Sequence, residues 1–442
     1  MMLTTLFSEL DDLRQRGVNH FLIGFSGGLD STALLHGCVR YRQQYSQLTL
    51  QACHVHHGLS DNADAWQAHC KQLCHQLGVT FHSARVQIES KPRQSLEAVA
   101  REARYGELAK YLTDSSHALL TGHHQDDQVE TLLLSLKRGS GLDGLSGMPA
   151  VMPLAKGWLA RPMLPLSRAE LEAYAEQEQL HWIEDESNQD EGFDRNFIRH
   201  QLIPLCQQRW PAFVATAARS MSLVAQDRQL LEEITAQDYE HCQHNNNLSI
   251  SALTDLTLAR RHRVFRHWLR LNHAPLWSHA QQLQAWQSVA CAQADGEPQL
   301  CWGDWQLRRY RDQLMLFKQL DESAPNDQVW HWPDPVMLAT IGQLTMQPSD
   351  ASDAIRLPLA SEVVSVRFGQ LKTRVRPADR AGSRSLKKVW QELGVPPWLR
   401  NRIPLVFFND ECVAALGYWV SKEFRRQPGE SGWQGSITDR LS

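Results

Sequence analysis

The sequence predicts a doubly wound parallel α/β sheet with an appended mainly helical domain and a small α+β domain at the C-terminal end. Three observations predict it. From His20 to about Arg138, short apolar runs alternate with helical patterns, which implies parallel pairing through right-handed crossovers. Three polar clusters fall directly after apolar runs, where ligands bind in such sheets. Beyond about residue 212 the pattern is mostly helical, and toward the end it alternates apolar with polar residues, as strands do.

In order along the chain, His20 to Phe25 reads as a buried strand and Ser31 to Arg42 as a helix. Leu48 to Val55 and Val79 to Val86 are expected strands, followed by helices from Ala63 to Leu77 and from Ser95 to Leu112. Ala118 to Thr121 is a fourth strand, ahead of a helix from Asp127 to Lys137. A Gly-rich passage over 139–147 precedes a helical stretch over 167–180, and 321–334 reads as a linker. Strands are expected within 363–375 and 404–420, with Asn409-Asp410 as a hairpin turn. These signals divide the chain at 1–215, 216–320 and 335–442.

A length of 442 residues exceeds one core and suggests roughly two to four domains. With 42% hydrophobic and 21% charged residues, the chain is neither disordered nor fibrous. No apolar run approaches the ~20 residues that span a bilayer. Glu9, Asp11, Asp12, Arg14 and Arg16 exclude a signal peptide at the N-terminus. A cytosolic protein without a membrane partner is expected. The nine cysteines are scattered, unlike a disulfide framework, and are expected to be reduced. Cys70 and Cys74, beside His69 and His75, fit one face of a helix with half-buried thiols better than a zinc site.

Ser26-Gly27-Gly28-Leu29-Asp30-Ser31 lies between a strand and a helix. Its glycines permit a tight turn with N–H groups facing a cavity, and the helix N-terminus adds partial positive charge. Ser26 and Ser31 can donate to phosphate oxygens. A carboxylate cannot bind phosphate directly, so Asp30 suggests a bridging Mg²⁺. No Gly-x-x-x-x-Gly-Lys-Ser/Thr loop is present. After the second strand comes His54-Val55-His56-His57-Gly58-Leu59-Ser60, and after the fourth Gly122-His123-His124-Gln125-Asp126-Asp127-Gln128-Val129-Glu130. Neighbouring imidazoles on a strand face opposite sides, which argues against His54, His56 and His57 sharing one ion and for a loop framing adenosine or a base.

The hexapeptide resembles the fingerprint of the PP-loop ATP pyrophosphatases (adenine nucleotide α-hydrolase-like), which cleave ATP between the α- and β-phosphates and adenylate an oxygen. Lys137-Arg138-Gly139-Ser140-Gly141, Trp182 to Asn188, Arg195-Asn196-Phe197-Ile198-Arg199 and Leu386 to Trp398 extend the resemblance, over nearly the whole chain, to the tRNA(Ile)-lysidine synthetases. That resemblance implies ligation of free L-lysine to carbon 2 of the wobble cytidine of a CAU-anticodon tRNA(Ile), using ATP and Mg²⁺. It implies an ATP site at 26–31, with Asp30 holding metal. Arg104 is expected to neutralise charge on the transferred phosphate. His123, Asp127 and Glu130 have the spacing of one helical face, and Asp127 and Glu130 are expected to bind the lysine ammonium and accept its proton. Arg195 and Arg199 share a helix, and either reach a phosphate or pair with Asp185 and Asp190.

The formal charge of −4 hides two basic stretches. Between Arg367 and Arg402, ten Lys/Arg, among them Arg374, Arg376, Lys387 and Lys388, stand against Asp379 and Glu392. The other holds Arg260, Arg261, Arg263, Arg266 and Arg270, with Trp268 among them. Basic clusters with aromatics suit RNA, and the resemblance assigns the last domain to the acceptor stem. A homodimer stays open. A tRNA-thiolating relative would use paired cysteines at the site, whereas Cys70 and Cys74 are expected away from the strand-end loops. A catalytically dead RNA binder is disfavoured by the intact Asp30, His123, Asp127 and Glu130.

Overall fold

The computed structural model describes residues 2–56, 62–86, 96–184, 190–293, 296–319, 325–339, 341–378 and 382–438. The chain divides into two compact units, Met1–Ile234 and Thr235–Ser442.

The first unit opens with α1 (Met2–Gln15), whose Leu6, Leu10 and Leu13 are buried. Then follow β1 (His20–Gly24), α2 (Leu29–Arg42), β2 (Thr49–His56), α3 (Ala63–Gln76), β3 (Thr80–Arg85), α4 (Leu96–Ala109), β4 (His117–Leu120) and α5 (Gln125–Lys137). After them come α6 (Leu142–Leu145), β5 (Val151–Leu154), β6 (Gly157–Ala160) and α7 (Arg168–Gln177). The six strands run in the order β3-β2-β1-β4-β6-β5. β1 pairs in parallel with both β2 and β4, β4 pairs in parallel with β6, and β5 is an antiparallel edge. The chain winds outward from β1 to β3, then returns to lay β4 on the other side of β1. That reversal makes the carboxyl ends of β1 and β4 the switch point. Phe21 and Ile23 pack with Leu34 and Leu35 on one face of the sheet, and Leu22 packs with Leu108 and Leu119 on the other.

The expected strands and helices of this unit are present, shifted by a few residues at their ends. β5 and β6 fall in a stretch the sequence left without strands, because each is four residues long and bounded by Gly and Pro. Further on lie α8 (Asp194–Phe197), a π-turn over Ile198–Leu202, α9 (Ile203–Arg209) and α10 (Phe213–Cys242).

The second unit contains the expected helices, among them Leu258–Leu271, and also a five-stranded antiparallel sheet. That sheet includes Gln299–Trp302, Trp305–Tyr310 and Gln313–Lys318. Residues 306–308 of the strand Trp305–Tyr310 are buried in succession, so no alternation betrays it in the sequence. Trp268, Phe265, Trp277 and Leu307 fill the core beneath. Nearer the C-terminus, Val364–Arg367, Leu405–Phe408 and Glu411–Ala415 form adjacent antiparallel strands. Phe408 pairs with Glu411 and Asn409 adopts φ +52°, so Asn409-Asp410 is the two-residue hairpin turn expected. The 321–334 stretch is not a plain linker where described, since Gln328–Val329 is a strand and Trp330 is buried; 321–324 lie outside the described residues.

Candidate active site

The loop between β1 and α2 is shaped by its own serines. Ser26 Oγ lies 3.0 Å from Ser31 Oγ, and Ser31 Oγ accepts from the Gly27 N–H at 3.2 Å and donates to the Gly28 carbonyl at 3.1 Å. Gly27 sits at φ +88°, and a Cβ there would lie 2.8 Å from Cys70 Sγ and 2.9 Å from Ile183 Cδ1. Only glycine meets both demands. The loop is tied to the sheet by the Phe25 N–H on the Cys53 carbonyl, and to the later chain by the Ile183 N–H on the Gly27 carbonyl, both 2.9 Å. Gly28 is the N-cap of α2 and Leu29 is buried. Ser26, Gly27, Gly28, Leu29, Asp30 and Ser31 are therefore contiguous at the end of β1, with the first-turn N–H groups of α2 as anion donors.

Gly122, just after β4, brings the second cluster against this loop. A Cβ on Gly122 would stand 2.9 Å from the Asp30 carbonyl carbon and 3.1 Å from both the Asp30 oxygen and the Ser31 nitrogen. These are backbone atoms that cannot swing aside. We expect Gly122→Ala to cost about 1–3 kcal/mol through overpacking and to lower ATP–pyrophosphate exchange at least tenfold. Melting curves and exchange rates measured on one preparation check both, and wild-type exchange would contradict the placement.

The carboxylates cluster around His124, which the sequence reading passed over for His123. His124 is 1% exposed and caps α5. Its Nε2 lies 3.6 Å from Asp30 Oδ1 and 3.5 Å from Asp127 Oδ2, and its Nδ1 lies 3.6 Å from Asp126 Oδ2. Burial would favour the neutral ring, but Asp126, Asp30 and Asp127 outweigh it and push its pKa up to about 10. Asp30 is thus one of three acids around a buried imidazolium, and its Oδ1 is buried without a hydrogen bond. His123 instead meets Thr121 Oγ1 at 2.8 Å, and burial holds its pKa well below the ordinary imidazole value. Burial thus favours the neutral ring at His123, whereas the three surrounding acids favour the protonated ring at His124.

Asp127 and Glu130 do share a face, and both are engaged. Arg195 Nε donates to Glu130 Oε2 and Arg199 Nε to Glu130 Oε1, each at 2.6 Å. Asp127 Oδ1 accepts from Arg195 and Arg199 at 3.2 and 3.3 Å. Among the described residues, the acids these arginines meet are Asp127 and Glu130. Asp190 accepts from the Gly192 N–H, and Asp185 lies outside the described residues. Two buried negative charges meet two partly buried positive ones, an arrangement costly to break by removing a single partner.

Arg104 is half-buried on α4, its guanidinium 5.7 Å from the Tyr105 ring centroid. His54 Nδ1 meets the Phe25 carbonyl at 3.0 Å, and His56 Nε2 lies 3.4 Å from Asp64. They brace the end of β2, while His57 to Ser60 lie outside the described residues. The expectation that Cys70 stands away from the loops is corrected. Its thiol abuts Gly27 and lies 3.6 Å from His54 Nδ1. Burial pushes it up to about 12, which suits a packing role rather than a nucleophile.

The basic stretches divide by use. Arg261 donates to the Leu253 and Leu256 carbonyls and lies 3.4 Å over the Trp286 ring, so it packs its domain rather than presenting a free cation. Arg260 pairs with Asp238, and Trp268 is fully buried core instead of a stacking platform. Arg374 donates to the Ser383 carbonyl at 3.0 Å and Arg376 lies 3.0 Å from Glu423. Lys387 and Lys388 are exposed on the helix Leu386–Glu392. Charge counting in sequence cannot separate such uses.

The PP-loop domain family matches residues 2–206, the TilS substrate binding domain 248–315, and the TilS substrate C-terminal domain 364–437. The tRNA(Ile)-lysidine synthase of Yersinia pseudotuberculosis serotype O:1b (strain IP 31758) is 44% identical over 450 residues, covering 98% of each chain. That of Serratia proteamaculans (strain 568) is 44% identical over 95% of this chain and 96% of its own. That of Shigella flexneri is 44% identical over 99% of this chain and 100% of its own. Among the described residues no helix is long and apolar enough to cross a membrane.

Proposed function

This chain belongs to the tRNA(Ile)-lysidine synthase family, ATP-dependent ligases built on a PP-loop domain, and on that premise we propose that it converts the wobble cytidine of CAU-anticodon tRNA(Ile) to lysidine through an adenylated tRNA. The observation that carries the reading is the seating of Gly122 on the Asp30 backbone, which sets the phosphate loop and the His123–Glu130 segment at one switch point.

In the first step the carbon-2 carbonyl oxygen of cytidine attacks the α-phosphate and pyrophosphate leaves. The N–H groups and hydroxyls of Ser26 to Ser31 cradle the leaving group, and Arg104 offsets charge on the transferred phosphate. Asp30, whose Oδ1 is buried without a hydrogen bond, would hold Mg²⁺, a hard ion that takes one or two carboxylates, and the ion when bound would neutralise phosphate charge. In the second step the ε-amine of lysine attacks carbon 2 and AMP leaves. Asp127 and Glu130 receive the ammonium, which displaces a guanidinium of Arg195 or Arg199 toward an RNA phosphate. The amine sheds its proton into this cluster. Lys387, Lys388, Arg374 and Arg376, with Arg260, supply backbone contacts to the tRNA, in a division of labour that follows 1–215, 216–320 and 335–442.

ATP–pyrophosphate exchange tests the adenylated intermediate. We expect exchange only when an unmodified CAU-anticodon tRNA(Ile) is present, and without any need for lysine. Exchange independent of RNA would place the adenylated oxygen elsewhere, and its absence under all conditions would leave only a binding protein.

A further inference from the structure

One feature near the site has no part in the steps above. Phe193, the N-cap of α8, and Phe197, its last residue, are each 44% exposed, and Leu136 near the end of α5 is 56% exposed. The Phe197 N–H donates to the Phe193 carbonyl at 3.1 Å, so the rings occupy successive turns of one face. Arg195 and Arg199 leave the same helix on another side to hold Asp127 and Glu130. Lys137 Nζ meets Asp194 at 2.5 Å and pins the end of α5 beside the two rings. Arg138, next in sequence and part of the Lys137–Gly141 motif, is exposed and makes no ion pair among the described residues. Beneath this surface Ile198, Ile203, Val129 and Val214 form a closed cluster, so neither phenylalanine is needed to complete that core.

Resting on the functional reading above, we propose that Phe193 and Phe197 are a stacking platform for unpaired anticodon-loop bases, and that Arg138 contacts a phosphate of the same loop. A target base must leave the loop stack to reach the switch point, and its neighbours then need a replacement for the stacking they lose. Two aromatic side chains on the segment whose Arg195 and Arg199 hold Asp127 and Glu130, with an exposed guanidinium that makes no ion pair among the described residues, supply that replacement.

Binding of an unmodified CAU anticodon stem-loop RNA to the full chain, followed by fluorescence anisotropy across a salt series, tests this. Phe193→Ala and Phe197→Ala should each weaken binding on the order of tenfold without changing the salt slope. Phe197→Tyr should bind like wild type, and Arg138→Ala should weaken binding while lowering the slope by about one. All variants should melt within a few degrees of wild type and bind ATP equally, as surface substitutions do. Alanine variants that bind the RNA within twofold of wild type would overturn the platform alone. So would light scattering that finds a wild-type dimer dissociated by these substitutions. Wild-type protein that fails to bind the loop would remove the functional reading and the platform with it.

Discussion

Asp30→Ala is expected to reduce tRNA-dependent ATP–pyrophosphate exchange on the order of 1,000-fold, the scale of losing a transition-state charge stabiliser, while tRNA affinity stays within about twofold. The argument rests on position. Asp30 stands in the first turn of α2, at the end of the phosphate loop, with Oδ1 buried and lacking a hydrogen bond. A buried acceptor left in that state is costly, and a cation held by Asp30 would resolve the cost. His124 and Arg168 stand 3.6 and 3.9 Å from the same oxygen and balance its charge without occupying it. The tRNA contacts assigned to the basic surface of the second unit do not involve this residue. Exchange retained in Asp30→Ala would contradict the metal role, and tRNA affinity lost along with exchange would point to misfolding instead. Asp30→Asn, which keeps the volume and removes the charge, should behave like the alanine variant.

Glu130→Gln is expected to separate the two steps. Exchange should persist, because nothing assigned to adenylation contacts Glu130, while lysidine formation falls roughly 100-fold, within the range seen for loss of a positioned acid–base group. The same variant leaves Arg195 and Arg199 facing a neutral amide at a site 1% exposed. Removing one partner of a buried ion pair costs about 3–5 kcal/mol; the side chains of Arg195 and Arg199 keep 20% and 27% exposure, so water relieves part of this and about 2–3 kcal/mol is expected. Thermal melting reads the stability loss, and assays run well below the melting point separate it from chemistry. Wild-type rates of lysine transfer in Glu130→Gln would contradict its assignment to the amine.

The turn between β1 and α2 was legible in the sequence because a glycine pair directly before a helix start is a local signal. The parallel sheet was legible for a similar reason, since strands and crossover helices alternate at regular spacing. His124 was not. The reading began α5 at Asp127, whereas it begins at Gln125, and that two-residue slip hides the cap position from which an imidazole meets Asp30, Asp126 and Asp127. The close packing of Gly122 was not legible, because the backbone it meets lies about ninety residues earlier in the chain. The partners of Arg195 and Arg199 were missed for the same reason, since helical spacing ranks near acids over distant ones. Cys70 packs against a glycine of another element, which no periodicity reveals. Helix patterns in the second unit were visible, but in its five-stranded sheet the strand Trp305–Tyr310 buries three residues in succession, and two other strands are only two and three residues long.

Incorporation of radiolabelled lysine into an unmodified CAU-anticodon tRNA(Ile) transcript, with and without ATP, tests the central claim most directly. The account predicts labelling that requires ATP, is accompanied by release of AMP and pyrophosphate, and is lost when the wobble cytidine is replaced. No labelling, while ATP is still cleaved to AMP in the presence of another RNA, would contradict the assigned substrates and keep only the nucleotide site.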